Sequence, residues 1–91
     1  MEITRRCNLR CRHCFVRLDR YELDTAQLLA IINQLPQVNA RKLILTGGEP
    51  LLRMDVEELI QAAVSIGIGV DLNTNMSTFS YKRANQIWNA G

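Results

Sequence analysis

The sequence lacks a fourth cysteine, a strong excess of charge of one sign, and any long apolar run. Its three cysteines fall within residues 7–14, and an odd number argues against a disulfide framework. A formal net charge of +2 over 91 residues gives no indication of nucleic-acid binding. No apolar run approaches the length needed to cross a membrane. What remains is a small globular protein whose thiols are free for metal chemistry.

No secretory leader is expected, since Met1 leads directly into a charged, strand-like segment. Free thiols without an export signal predict a reducing cytoplasm. A chain of 91 residues forms one domain at most, here residues 1–91. Its core is small, because short chains bury a lower fraction of their surface. There is no low-complexity segment, and no repeat beyond alternating strands and helices.

The cysteines themselves are spaced C-x3-C-x2-C, at Cys7, Cys11 and Cys14. Iron–sulfur clusters are held by cysteine thiolates, normally four of them. Three ligands at this spacing, with no fourth in the sequence, predict a cluster with one iron left for a ligand from outside the chain.

A zinc site is the alternative, with His13 as the fourth ligand in a tetrahedral set. His13 and Cys14 are adjacent, however, and adjacent side chains rarely converge on one small ion. The cluster is therefore the favoured interpretation. Four arginines (Arg5, Arg6, Arg10, Arg12) surround the cysteines. They are either a solvated basic loop or a means of favouring an anionic cluster or substrate, and the two interpretations are compatible.

Periodicity predicts β-α-β-α-β-α. A short strand ends at Thr4, the cysteine loop runs to about Leu18, and a polar connection covers residues 19–23. Asp24 and Gln27 resemble a capping box that opens a helix bounded by Pro36. The apolar run 42–46 has no alternation and fits a strand covered on both faces. The predicted core positions of the first helix are Leu28, Ile31, Ile32 and Leu35.

The second helix is predicted to begin at the N-cap Asp55, with Glu58 at its third position, and to end before Gly67. A third strand covers residues 68–73, and a third helix covers residues 80–90. The expected inward-facing residues of these two helices are Val56, Leu59, Ile60, Ala63, Val64, Ala84, Ile87 and Trp88. Tyr81 and Trp88 are interpreted as packing residues.

Such alternation predicts parallel strands with right-handed crossovers and one ligand-binding rim at the strands' carboxyl ends. The cysteine loop follows the first strand, Gly47-Gly48-Glu49-Pro50 the second, and Asn73-Thr74-Asn75 the third. All three segments therefore meet at one predicted site. On residues alone, the last two segments are also compatible with ordinary turns.

Residues 2–15 resemble the first strand and cluster loop of radical S-adenosylmethionine (SAM) enzymes, whose signature is Cx3CxxC followed by an aromatic residue. Thr46–Pro50 resembles the family's GGEP segment. The resemblance covers the whole chain but only about half of the catalytic domain. It implies an α/β fold of three consecutive βα units with parallel strands, a partial (half) radical SAM TIM-like barrel. It also implies a [4Fe-4S] cluster on Cys7, Cys11 and Cys14, with SAM at the open iron.

The same resemblance implies the SAM contacts. The GGEP segment (Gly47, Gly48, Glu49, Pro50) would meet the methionyl amine, with the glycines admitting the ligand and Glu49 offering a carboxylate. Phe15 would lie beside the adenine, or else pack in the core. The other implied contacts are His13, Asn73, Thr74 and Asn75.

The sequence from Asn8 to Cys14 is similar to that of SPASM-type members that modify peptides or haem-like tetrapyrroles. An electron donor such as flavodoxin or ferredoxin is implied, and neither nucleic acid nor membrane is expected.

Two departures from the family stand out. The family's later strands are not in this sequence, so the third strand is expected to have an open edge. The chain is therefore expected to be poorly soluble, to associate, or to need a complementing chain. We therefore also consider a non-catalytic fragment or split subunit. In addition, Met76 replaces a common glycine, and a methionine tolerates positive φ poorly.

Overall fold

A computed structural model describes residues 1–19 and 22–91. Three strands alternate with three helices: β1 (Glu2–Thr4), α1 (Thr25–Ile32), β2 (Lys42–Gly47), α2 (Val56–Ser65), β3 (Gly69–Leu72) and α3 (Tyr81–Ala90). Short 3-10 turns cover Leu35–Val38 and Pro50–Leu52. The predicted order of elements is confirmed. The predicted polar connection 19–23 includes residues 20 and 21, which lie outside the described part.

The strands form one parallel sheet in the order β1-β2-β3. β2 pairs with β3 in continuous register from Lys42 opposite Gly69 to Leu45 opposite Leu72. β1 pairs with β2 through a register shift between Glu2 and Thr4. Within the described residues the sheet does not close, so the fold is a partial α/β barrel, as the sequence predicts.

The core lies between the sheet and the helices that cover one of its faces. Leu43 and Leu45 of β2 are buried, whereas Ile44 between them is 45% exposed. The prediction of a strand covered on both faces is therefore wrong for this chain. The buried apolar residues are Ile3, Leu28, Ile32, Leu43, Leu45, Leu51, Val56, Leu59, Ile60, Ala63 and Ile68.

Helix α1 begins as predicted. The Asp24 carboxylate accepts from Gln27 N at 2.8 Å, and the Gln27 side chain accepts from Asp24 N at 3.0 Å. The helix ends at Ile32, before the predicted core position Leu35, which belongs with Pro36 to the following 3-10 turn. Ile31 is exposed rather than part of the buried stripe.

Helix α2 ends in a Schellman arrangement, with Gly67 at φ 80° and Ile68 N donating to Ala63 O. Its predicted N-cap, Asp55, makes no side-chain capping bond. That carboxylate instead binds Arg53 and Thr25. Val64 of the predicted stripe is 39% exposed.

Helix α3 is capped by the Ser80 hydroxyl, which accepts from Arg83 N. Ala84 and Ile87 are half-buried, but Trp88 is 83% exposed and Tyr81 is 86% exposed. The inward placement of Trp88 and the packing role of both aromatics are therefore wrong. No helix in residues 1–19 and 22–91 has both the length and the apolar character required to cross a bilayer.

Candidate cluster and cofactor site

The cysteine loop leaves the carboxyl end of β1 and presents all three thiols near the surface. Cys7 is half-buried, Cys11 and Cys14 are exposed, and none forms a disulfide. A turn, in which Cys14 N donates to Cys11 O at 3.1 Å, joins the second and third cysteines. The thiols are thus accessible to metal chemistry.

The described residues contain no group of three His, Cys, Asp or Glu side chains close enough to hold one metal ion. The zinc alternative requires such a tetrahedral convergence of Cys7, Cys11, Cys14 and His13. A four-iron cluster places a different demand on the loop, because each cysteine binds its own iron.

Backbone hydrogen bonds tie the start of the cysteine loop to the end of β2. Gly48 N donates to Thr4 O, and Glu49 N donates to Arg6 O, both at 2.8 Å. A Cβ on Gly47 would lie 2.2 Å from Thr4 O, and one on Gly48 would lie 2.3 Å from Arg6 O. The two glycines therefore let β2 approach the cysteine loop itself, and a role in admitting a cofactor stays a prediction.

Glu49 is the most deeply buried acidic residue of the site, with 0% of its surface exposed. One carboxylate oxygen accepts from Leu51 N at 2.9 Å and from the Thr74 hydroxyl at 2.6 Å, and the other accepts from Asn75 N at 2.6 Å. Glu49 thereby joins the end of β2 to the end of β3. In this arrangement its oxygens are occupied by protein donors.

The segment after β3 returns to the cysteine loop. Asn75 Nδ2 lies 3.2 Å from Asn8 Oδ1 and 3.8 Å from Cys7 Sγ, and Asn8 Nδ2 donates to Ser77 Oγ at 2.7 Å. The convergence of the three segments on one rim is thus present. Sequence reasoning did not identify Asn8 and Ser77, because strand order predicts which loops meet but not which polar side chains pair.

The remaining predicted cofactor residues differ in exposure. Phe15 is 97% exposed, which rules out the core-packing interpretation of its ring in this structure. His13 and Asn73 are also exposed, whereas Pro50 is buried. Met76 adopts φ 58°, the left-handed conformation that a methionine is expected to tolerate poorly.

Two of the four arginines near the cysteines are committed to ion pairs. Arg5 lies 2.8 Å from Glu2 and 3.3 Å from Asp19, and the hydrogen bond to Glu2 is the main reason that its pKa is raised. Arg6 lies 2.9 Å from Glu22. Arg10 and Arg12 are exposed and have no ion pair with any described residue.

Arg53 bonds to β1 and to the segments that precede α1 and α2, and sequence reasoning missed it. Its buried guanidinium donates to Ile3 O at 3.0 Å, to Leu23 O at 2.9 Å, and to both oxygens of Asp55. The Arg53 hydrogen bond lowers the pKa of Asp55, against the effect of burial. The available signal was the Arg-x-Asp spacing before α2, which the N-cap interpretation of Asp55 obscured.

Comparisons with known proteins identify relatives of the whole chain. The chain is 38% identical over 94 residues to the AdoMet-dependent heme synthase of Oleidesulfovibrio alaskensis, covering 99% of this chain and 24% of that protein. It is 34% identical to the protein of the same name from Nitratidesulfovibrio vulgaris, covering 99% of this chain and 26% of the relative. It is 33% identical to the PqqA peptide cyclase of Bradyrhizobium diazoefficiens, covering 100% and 25% respectively.

The chain therefore spans about a quarter of the length of the curated relatives that it matches. The sequence model described as the Radical SAM superfamily matches residues 1–91, the whole of this chain. On that match, and on the three loops that meet at one rim, the chain belongs to the radical SAM superfamily.

Proposed function

We propose that this chain carries the cluster-binding part of a radical SAM enzyme, with Cys7, Cys11 and Cys14 holding a [4Fe-4S] cluster. The observation that supports this most directly is the position of three free thiols on the rim where β2 and β3 also end. With no fourth cysteine in the sequence, one iron is left for the amino and carboxylate groups of SAM.

A cluster bound there would supply the electron that cleaves SAM to a 5′-deoxyadenosyl radical. The chain's own residues place and shield the cofactor. The exposed side chains proposed to contact SAM are His13, Phe15 and Asn73, whereas Gly47, Gly48 and Pro50 contribute backbone. Asn75 lies on the same rim, with its amide bonded to Asn8 and Ser77. Glu49 and Thr74 fix the rim, since their side chains bond to each other.

The substrate class follows from the relatives only as a proposal. Their names refer to haem synthesis and to peptide cyclisation, so a tetrapyrrole or a peptide is the proposed substrate of the whole enzyme. An electron-donor protein of the flavodoxin or ferredoxin class would reduce the cluster. Strands that close the sheet would come from a further segment or a complementing chain.

Anaerobic reconstitution with iron and sulfide tests the cluster assignment. The parent chain should develop the visible absorption and, after reduction, the EPR signal of a four-iron cluster, and SAM should change that signal. Cys11→Ala should lose or alter it. Leu9→Ala, in the same loop but without a ligand atom, is the matched control and should keep it.

An unchanged cluster signal in Cys11→Ala would contradict the proposal. A colourless chain that contains zinc after purification without oxygen would support the zinc alternative instead.

A non-catalytic role is the second candidate, favoured by the open sheet and by the quarter-length match to the relatives. Such a chain would hold the cluster without cleaving SAM, because a site needs its supporting residues in place. Measuring 5′-deoxyadenosine after addition of SAM and a strong reductant separates the two. Its formation by the parent chain, and not by Cys11→Ala, would exclude the non-catalytic role.

A further inference from the structure

The three candidate ligand sulfurs are not equivalent in their hydrogen bonding. Cys7 Sγ lies 3.4 Å from Leu9 N and 3.8 Å from Asn75 Nδ2, so two N–H groups face it. Among residues 1–19 and 22–91, the hydrogen bonds to cysteine sulfurs are these two, and neither involves Cys11 or Cys14. Of the three thiols in the described residues, Cys7 therefore has hydrogen-bond donors in place at its sulfur. One of these two donors comes from the loop after β3.

The orientation of the Asn75 amide is fixed by its neighbours. Ser77 N donates to Asn75 Oδ1 at 2.9 Å, and a backbone N–H can only donate. Asn75 Oδ1 must then be the acceptor, which directs Nδ2 toward Asn8 and Cys7. The amide is therefore assigned by its hydrogen-bond network, and the donor faces the sulfur.

A closed ring of side-chain bonds holds this amide in place. Asn8 Nδ2 donates to Ser77 Oγ, Ser77 Oγ donates to Asn75 Oδ1, and Asn75 Nδ2 donates to Asn8 Oδ1. The backbone of Asn75 is fixed separately, because its N–H donates to the buried carboxylate of Glu49. Asn75 is thus anchored both at its backbone and at its amide.

We infer that Asn75 is a positioning residue for the cluster ligand Cys7 and that its amide N–H raises the reduction potential of the bound cluster. This inference rests on the proposed function. The physical reason is that the reduced cluster carries more negative charge on its sulfurs, and a donor at a ligand sulfur stabilises that state. Removing the donor therefore makes the cluster harder to reduce.

The test is a redox titration of the reconstituted chain, with the potential read from the visible and EPR spectra. Asn75→Ala should shift the midpoint potential to a more negative value. Asn75→Asp, which keeps the size and the acceptor for Ser77, should shift it further, because it replaces the donor with a negative charge. Asn8→Ala leaves the donor but frees it, and should give a smaller shift in the same direction. Asn89→Ala, at an exposed asparagine on α3, should give none.

The outcomes separate this inference from the proposed function. A parent chain that takes up no cluster overturns both. If the parent takes up a cluster and both Asn75→Ala and Asn75→Asp have the same midpoint potential as the parent, the inference alone is overturned. Loss of the cluster from both variants, with circular dichroism unchanged, supports a positioning role. Loss of the cluster together with the fold would assign Asn75 to folding and overturn the proposal.

Discussion

Glu49, which is predicted to contact the cofactor, makes several bonds within the protein. Its carboxylate is buried and accepts three hydrogen bonds, from Leu51, Thr74 and Asn75. Glu49→Ala should lower the free energy of unfolding by about 3 kcal/mol, because those buried donors lose their acceptor. Glu49→Gln should cost about 1–2 kcal/mol, since its amide can turn only one oxygen toward them. Urea unfolding followed by circular dichroism measures both.

The control for this prediction is Glu58→Ala, at an exposed glutamate of α2, which should change stability by less than about 0.5 kcal/mol. If Glu49→Ala were no less stable than this control, the carboxylate would not be holding the rim. The interpretation in which Glu49 is reserved for an ammonium group would then be favoured.

Asp55 makes stability depend on pH. The Arg53 hydrogen bond lowers its pKa below the ordinary 3.8, so the pair stabilises the fold above that pH, and this stabilisation is lost as pH falls through the lowered value. Asp55→Asn should therefore cost about 2 kcal/mol at pH 7 and less at pH 3, which lies below the ordinary pKa of 3.8. Thermal unfolding at both pH values measures the difference.

Glu22 adds to the same acid sensitivity. Its burial acts to raise the pKa, but hydrogen bonds from Thr4 and Arg6 outweigh burial and lower it. Some pH dependence will thus remain in Asp55→Asn. Asp71→Asn is the control, because Asp71 is half-exposed and pairs with Lys42 at the surface. A variant of Asp55 whose stability changed with pH as steeply as that of the parent would contradict the prediction.

At the scale of elements, the contact between β2 and the cysteine loop depends on Gly48. A Cβ there would lie 2.3 Å from Arg6 O and 2.7 Å from Arg6 C, and backbone cannot move aside cheaply. Gly48→Ala should cost about 2–3 kcal/mol by forcing apart the segments that Gly48 N and Glu49 N join. It should also reduce the cluster content after reconstitution, because the loop is displaced.

Gly69→Ala is the matched control for this substitution. Gly69 lies in β3, and its nearest neighbour to a new Cβ is Arg41 O at 3.8 Å, an ordinary contact. Its unfolding midpoint should stay close to that of the parent. Equal effects of the two substitutions would show that the close approach of β2 to the loop is not what Gly48 provides.

The elements were the part of the fold that sequence predicted best, and the reason is physical. Hydrophobic periodicity and caps are local, so Asp24 with Gln27 and Gly67 after α2 marked helix ends correctly. Asp55 failed as a capping side chain because Arg53, two residues earlier, and Thr25, 30 residues earlier, both bind its carboxylate. Local pattern cannot show which distant group will take a polar side chain.

The candidate site was also predicted in part. Parallel strand order alone predicted that the cysteine loop, the GGEP segment and Asn73-Thr74-Asn75 would share one rim. The roles of individual atoms were not predictable. The sequence is equally compatible with Glu49 oxygens that face a ligand and with oxygens that face the protein. The contact of Asn75 with Cys7 joins residues 68 positions apart, and no spacing rule reaches that far.

At the scale of the whole molecule, the errors at Ile44 and Trp88 have one cause. Both were assigned to a covered surface, and both are exposed, Ile44 on the uncovered face of the sheet and Trp88 beside β3. Within the described residues, β3 pairs only with β2. Apolar periodicity shows which side chains are suited to burial. Whether they are buried depends on whether a further layer of structure covers them.

An open strand edge beside exposed aromatic side chains predicts self-association of this chain. The groove between β3 and α3 is lined by apolar residues that include Val70, Phe79 and Trp88, and open edges invite pairing with other chains. Sedimentation should show association that grows with protein concentration. Trp88→Lys should reduce it without loss of stability, since the ring is 83% exposed.

Met54→Lys is the control for that substitution, because it adds the same charge at an 85% exposed apolar residue outside the groove. Net charge rises equally in both variants. If the β3 edge is responsible, Met54→Lys should therefore leave the association unchanged. An equal reduction by both substitutions would mean that charge alone disperses the chain. A monodisperse parent that unfolds cooperatively as a monomer would show that the open sheet is stable without a neighbour.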